Sequence, residues 1–216
     1  MGELRIDKLS DTEFDVLKEI SNIGTGNAAT AVSQLLGGRV DINIPVIKFL
    51  NFTELSDVLG GAEKEVIGIL VTLERDIDGM MMFILDKNSA AIVVNRMLEK
   101  KVECLSSPLS DMERSVLTEF GNIISGTYIT ALSLLTGLKV SSSVPALSDD
   151  MAGAILSVPA TEFAKISDKV LLIQSLILAE GDEVEGFFVL IPTRHAFNNI
   201  FENLGLKKVN DQWEMS

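Results

Sequence analysis

Slid along itself by 100 residues, this chain aligns LSDTEFDVLKEISNIGTGNAATAVSQLLGGRVDINIP (9–45) with LSDMERSVLTEFGNIISGTYITALSLLTGLKVSSSVP (109–145), and no gap is needed. Of the 37 aligned positions, 17 are identical. Further on, DGMMMFIL from Asp78 resembles EGFFVLIP from Glu185, at an offset of 107. Two similar segments in one chain are expected to fold alike and to pack about a pseudo-twofold axis, so the repeat outranks any local propensity. The chain therefore reads as one domain, 1–216, made of two repeats at approximately 9–100 and 109–205. Residues 99–108, charged and containing Ser and Pro, form the joint. Each half alone is small for an independent core.

Each copy opens with a capping box, Ser10-x-x-Glu13 and Ser110-x-x-Glu113, which sets a helix start. Apolar residues at helical spacing then continue to Gly37 and Gly137, suited to the left-handed position just past a helix. A short alternating strand follows (Val40, Ile42, Ile44), ended by Pro45 and, in the second copy, by Pro145. The first half continues with a short helix at 52–59, strands at 66–73 and 79–85, and a helix at 89–99. The second half reads as strands at 153–158, 170–178 and 186–191, then a helix at 194–204. The predicted fold is α+β, an internally duplicated pseudo-twofold domain with two long motif-bearing helices packed on a shared β-sheet.

Within the first long helix lies Gly24-Thr-Gly26-Asn-Ala-Ala29, a formal match to a dinucleotide-binding fingerprint. That fingerprint needs a preceding strand and a helix that starts at its glycines. Here the glycines fall inside a capped helical pattern, and the second copy, Ile124-Ser-Gly126, lacks the first glycine. No Gly-Lys-Ser/Thr offers a phosphate loop either. Nucleotide binding is rejected on that context.

On a helical wheel, Asp15, Glu19, Asn22, Gly26, Thr30 and Ser33 fall in a stripe about 80° wide. Leu17, Gly24, Ala28, Ala31 and Leu35 lie opposite and are expected to face the core. Along the stripe, Glu, Asn, Gly, Thr and Ser recur at 119, 122, 126, 130 and 133, and only Asp15 changes, to Ser115. On the opposite side, Gly24 becomes Ile and Ala28 becomes Tyr. A merely solvated face should drift more freely than a packed one, since surface substitutions cost little. Glycine in an exposed helix costs about 1 kcal/mol relative to alanine. Keeping Gly26 and Gly126 there implies a close approach, by another helix of the same protein or by a partner.

A net charge of −13 disfavours nucleic acid and anionic membranes. One cysteine, Cys104, and one histidine, His195, exclude a zinc site of Cys/His type and suit a reducing compartment. The N-terminus has no apolar signal region, and the longest apolar runs are too short to span a bilayer, so a soluble cytoplasmic protein is expected.

Each copy thus carries an acid or hydroxyl, a Glu one turn later, an Asn three further on, and a Pro 23 residues after that. The positions are Asp15, Glu19, Asn22, Pro45 and Ser115, Glu119, Asn122, Pro145. This doubled pattern resembles the CheC family of bacterial chemotaxis phosphatases, the CheC/CheX/FliY group, over nearly the whole chain. With both motifs and an end at Ser216, the expected type is CheC, without the flagellar switch domain of FliY. The resemblance implies an enzyme, an aspartyl-phosphate protein phosphatase that hydrolyses the phospho-aspartate of a CheY-type response regulator. By the same resemblance Asn22 and Asn122 orient the attacking water, while Glu19 and Glu119 anchor a lysine of the receiver. Mg²⁺ is then expected in the receiver, with no metal or other cofactor of the chain's own. The receptor deamidase CheD is implied as a second partner, with Asp150, in the segment LSDDMAGAI, as a contact. The alternative is a non-catalytic adaptor that binds CheD or the flagellar switch. His195, the run Met80–Met81–Met82, Cys104 and Trp213 are read as structural or surface residues.

Overall fold

Residues 11–43, 46–99, 101, 103–163, 169–179 and 181–204 are described by a computed structural model of the chain. Its elements run α1 (Asp11–Leu36), β1 (Val40–Ile42), β2 (Val46–Asn51), α2 (Phe52–Val58), β3 (Glu65–Arg75), β4 (Gly79–Asp86) and α3 (Lys87–Leu98). The same order then recurs as α4 (Asp111–Thr136), β5 (Val140–Ser142), β6 (Ala146–Met151), α5 (Ala152–Phe163), β7 (Lys169–Ala179), β8 (Asp182–Pro192) and α6 (Arg194–Asn203).

The eight strands of the described residues form one antiparallel sheet in the order β1-β7-β8-β4-β3-β5, with β2 also on β7 and β6 also on β3. β4 and β8, equivalent in the two halves, pair at the centre from Gly79↔Pro192 to Leu85↔Gly186. The outer strands cross over. β1 and β2 of the first half pair with β7 of the second, and β5 and β6 of the second pair with β3 of the first. Each half thus completes the other's sheet edge.

Alternation along the strands sorts two apolar layers. Ile67, Ile69, Val71, Met81, Phe83, Ile173, Phe188 and Leu190 meet α1, α3, α4 and α6 on one side. Val66, Met82, Ile84, Leu172, Phe187 and Val189 meet α2 and α5 on the other. Burying such a side chain contributes about 1.5–3 kcal/mol, so the sheet, apolar on both faces, is the main store of stability.

The caps behave as the sequence predicts where they are described. Ser110 caps α4: its hydroxyl accepts from the Glu113 N–H, and the Glu113 carboxylate accepts from the Ser110 N–H at 2.8 Å. α4 ends at Gly137 (φ 69°), and Gly37 after α1 is also left-handed (φ 67°). Ser10, Ile44, Pro45 and Trp213 lie outside the described residues, as do the side chains of Glu13 and Leu17.

Two corrections follow. Residues 153–158 are not a strand but part of α5, where Ala152, Ile155, Leu156 and Pro159 are buried at helical spacing. A short apolar run reads equally as either element; here packing against α2 and the sheet decides it. The strands β2 and β6, following the prolines, are not predicted. They are edge strands: β6 pairs only with β3 among the described residues, and the alternation in its six residues, half of them Ser or Asp, is weak.

Candidate functional site

The repeated stripe is borne by α1 and α4, which pack against one another on the larger apolar layer. α4 crosses the sheet obliquely. A methyl on Gly121 would meet Ile69 of β3, Phe120 packs on Phe83 of β4 (ring centroids 5.9 Å apart), and Tyr128 stacks on Phe188 of β8 (4.1 Å). The Tyr128 hydroxyl also reaches Ser175 of β7 at 3.3 Å. Tyr128 then faces α1: a Cβ on Gly24 would stand 2.9 Å from its ring. The first glycine of the apparent fingerprint thus makes room for a tyrosine of the other helix.

Burial is off-centre from the predicted axis. Gly24 and Ala28 are buried as expected, but Ala31 and Leu35 are only half-buried, and Val32 and Leu36 are buried instead. The helix rests against two walls, the sheet and its twin, so its covered arc is turned and wider than a single-face wheel implies.

On the opposite side the stripe is open. Asp15, Glu19, Asn22 and Gly26 are exposed on α1, and Ser115, Glu119, Asn122 and Gly126 on α4. Among the described residues, neither Glu nor Asn of either pair has a hydrogen-bond or ion-pair partner. Each Glu and Asn are i, i+3 on one helix, so their heads emerge side by side. The twin helix does not fill the space at the glycines: a Cβ on Gly26 or Gly126 would meet nothing within 4 Å. Of the two occupants proposed for that gap, no helix among the described residues fills it.

The stripe is not uniform. Thr30 and Thr130 turn their hydroxyls back onto the Gly26 and Gly126 carbonyls, at 3.4 and 2.7 Å. Ser33 and Ser133 donate to the carbonyls of Gly38 and Leu138, at 2.5 and 2.7 Å, fastening each helix end to the strand approach. Their recurrence has an internal cause. Glu, Asn and Gly are the recurring members whose exposure has no such bond behind it among the described residues.

Near the first pair, Asp15 lies 4.0 Å from Lys18, both exposed; at the second pair the matching residues are Ser115 and Thr118, whose hydroxyl donates to the Arg114 carbonyl. Pro145 is half-buried between β5 and β6. At the N-terminus of α4, burial alone would raise the Glu113 pKa. The Ser110 hydroxyl and the Ser106 and Ser110 N–H groups outweigh it and lower the carboxyl to about 2.

Asp150 is exposed on β6, opposite Val66 of β3, and its carboxylate accepts from the Met151 N–H at 2.7 Å. Its neighbour Asp149 turns the other way and pairs with Lys87 of α3. Asp150 is on an edge strand rather than on either motif helix, so it is not part of the Glu–Asn sites. His195 is exposed in the first turn of α6, beside Asn199, behind the capping Thr193. Met81 and Met82 are buried, and Cys104 is exposed. Among the described residues no helix is long and apolar enough to cross a membrane, and no three His, Cys, Asp or Glu gather as for a metal.

Comparison with known proteins bears on this arrangement. The model of the CheC-like family matches residues 13–48 and 112–148, the two segments that carry the motifs. The CheY-P phosphatase CheC of Bacillus subtilis (strain 168) is 33% identical over 91% of this chain and 96% of its own length. The flagellar motor switch phosphatase FliY of the same organism is 28% identical over 65% of this chain but only 36% of its own. Among solved structures, Thermotoga maritima FliY superposes with a TM-score of 0.72 at 23% identity, covering 91% of this chain and 98% of that one. At that identity the superposition speaks for the fold alone. The sequence match over nearly the full length of both chains speaks for more: this protein belongs to the CheC-like family.

Proposed function

We propose that this protein is an aspartyl-phosphate phosphatase acting on a CheY-type response regulator, with one site at Glu19/Asn22 and a second at Glu119/Asn122. The observation that carries the reading is the twice-built Glu–Asn pair, exposed and without a partner among the described residues, beside a glycine that leaves the helix surface open. It agrees with the name of the Bacillus subtilis relative.

The chemistry asks little of the enzyme. An acyl phosphate is already reactive, and the receiver brings its own Mg²⁺. What is missing is a fixed water, because free water seldom lies in line with the phosphorus. A carboxamide both accepts and donates, so Asn22 or Asn122 holds the water's hydrogen and its oxygen together, which a carboxylate does not. The water oxygen bonds to phosphorus, the bond to the aspartyl oxygen breaks, and the carboxylate and inorganic phosphate leave, the proton passing to phosphate. Glu19 and Glu119 pair with a receiver lysine and set the depth to which the helix enters. Such a substrate assigns the protein to the cytoplasm and uses the two repeats as one unit.

The test is phosphate release from a phosphorylated receiver domain. Replacing both Asn22 and Asn122 by Ala lowers the rate about 100-fold, the scale of lost positioning. Full activity in that double variant sinks the mechanism; no phosphate release by the parent, with CheD binding indifferent to both Asn residues, favours the adaptor reading instead. Within the same proposal, Asp150 on the exposed edge strand is a contact for CheD. CheD binding by D150K, measured beside its phosphatase rate, checks this: unchanged binding refutes it.

A further inference from the structure

We infer that Tyr128, carried by the helix of the second site, positions the first site by setting how α1 is seated. The inference rests on the phosphatase reading above. It begins from an asymmetry between the repeats. The position matching Tyr128 in the first copy is Ala28, and the position matching Gly24 in the second is Ile124, so the wedge exists on one side only.

Tyr128 has nowhere to retreat. Its ring stacks on Phe188 at 4.1 Å with an interplanar angle of 20°, its hydroxyl is 3.3 Å from Ser175, and it is 4% exposed. Its own helix is pinned nearby, where Gly121 allows α4 to sit on Ile69 and Phe120 packs on Phe83. Against this fixed ring α1 presents Gly24. A Cβ there would lie 2.9 Å from Cδ1 and 3.2 Å from Cε1, where ordinary contact begins at 3.4 Å. The nearest pair is 0.5 Å too close (3.4 − 2.9), and with the ring held on Phe188 the inferred response is a shift of α1. Asn22 is two residues away on that rigid helix and moves with it. Misplacing a catalytic group by 1 Å costs on the order of 100-fold, so half of that costs about tenfold.

The experiment separates the two sites with backgrounds that keep one Asn each. In N122A, where only the first site remains, adding G24A is expected to lower kcat about tenfold with KM little changed. In N22A, where only the second remains, adding G24A is expected to leave kcat within about twofold of its parent. Trimming the ring, as G24A/Y128L in N122A, restores most of the loss; G24A/Y128F, which keeps the ring, does not. Equal losses in both backgrounds, or none in N122A, overturn the inference. Should G24A fail to fold, Tyr128→Leu alone decides it. Loss at the first site greater than at the second, although Tyr128 sits on the second site's helix, supports the inference, and the reverse order refutes it. Full activity in the N22A/N122A double variant removes the site assignment itself, and this inference with it.

Discussion

Gly26 and Gly126 offer a perturbation whose effects on stability and on activity should have opposite signs. Both lie in the interior of 26-residue helices, both are exposed, and an added Cβ would meet nothing within 4 Å. With no clash to offset it, the gain from restricting the unfolded chain and completing the helix is about 1 kcal/mol per site. The double variant G26A/G126A should thus be more stable by about 2 kcal/mol, which raises Tm by about 4–8 °C in a chain of this size. The same two methyls project beside Asn22 and Asn122, on the face that must meet the receiver. Phosphate release should fall about 10-fold or more, because the helix no longer approaches the phosphorylated pocket closely enough. Thermal unfolding and phosphate release on one preparation check both halves. A variant that is stabilised yet fully active would show that the glycines do not serve docking. A destabilised variant would show that the helix surface there is not open.

Other outcomes follow from the packing. Gly121→Ala inserts a methyl 2.5 Å from Cδ1 and 2.7 Å from Cγ2 of Ile69, and should destabilise the fold by about 1–3 kcal/mol, read as a lower urea midpoint. Glu113 has a folded pKa of about 2 against an ordinary 4.5, so its stabilising contribution is complete above 4.5 and is lost as pH falls through 2. Glu113→Gln should cost about 1 kcal/mol at neutral pH, and the gap from the parent should close over that acid range in denaturation curves.

Much of the site is legible in the chain before it folds. A stripe at helical spacing that recurs 100 residues on needs only the α-helical period to be recognised as one face. The caps at Ser110 and Gly137 bound the second helix by local hydrogen bonding alone. Exposure of Glu19, Asn22, Glu119 and Asn122 follows from the opposite face being apolar. These are local properties, set within a few turns of chain.

What could not be read was whatever depends on a residue far away in sequence. Residues 152–163 are apolar enough for a strand and become helix α5 because α2 and the sheet provide a surface at helical spacing. The exchange of edge strands, β1 and β2 onto β7 and β5 and β6 onto β3, is a pairing choice between halves that no local pattern contains. Ser33 and Ser133 look like members of the functional face until their hydroxyls are seen on the carbonyls of Gly38 and Leu138. Gly24 is the sharpest case: its meaning is held 104 positions away, in the ring of Tyr128. The chain by itself determined which helices form and which face looks outward, because those depend on neighbours in sequence; the tertiary structure alone decided how the halves interlock and what each small residue makes room for, because those depend on neighbours in space.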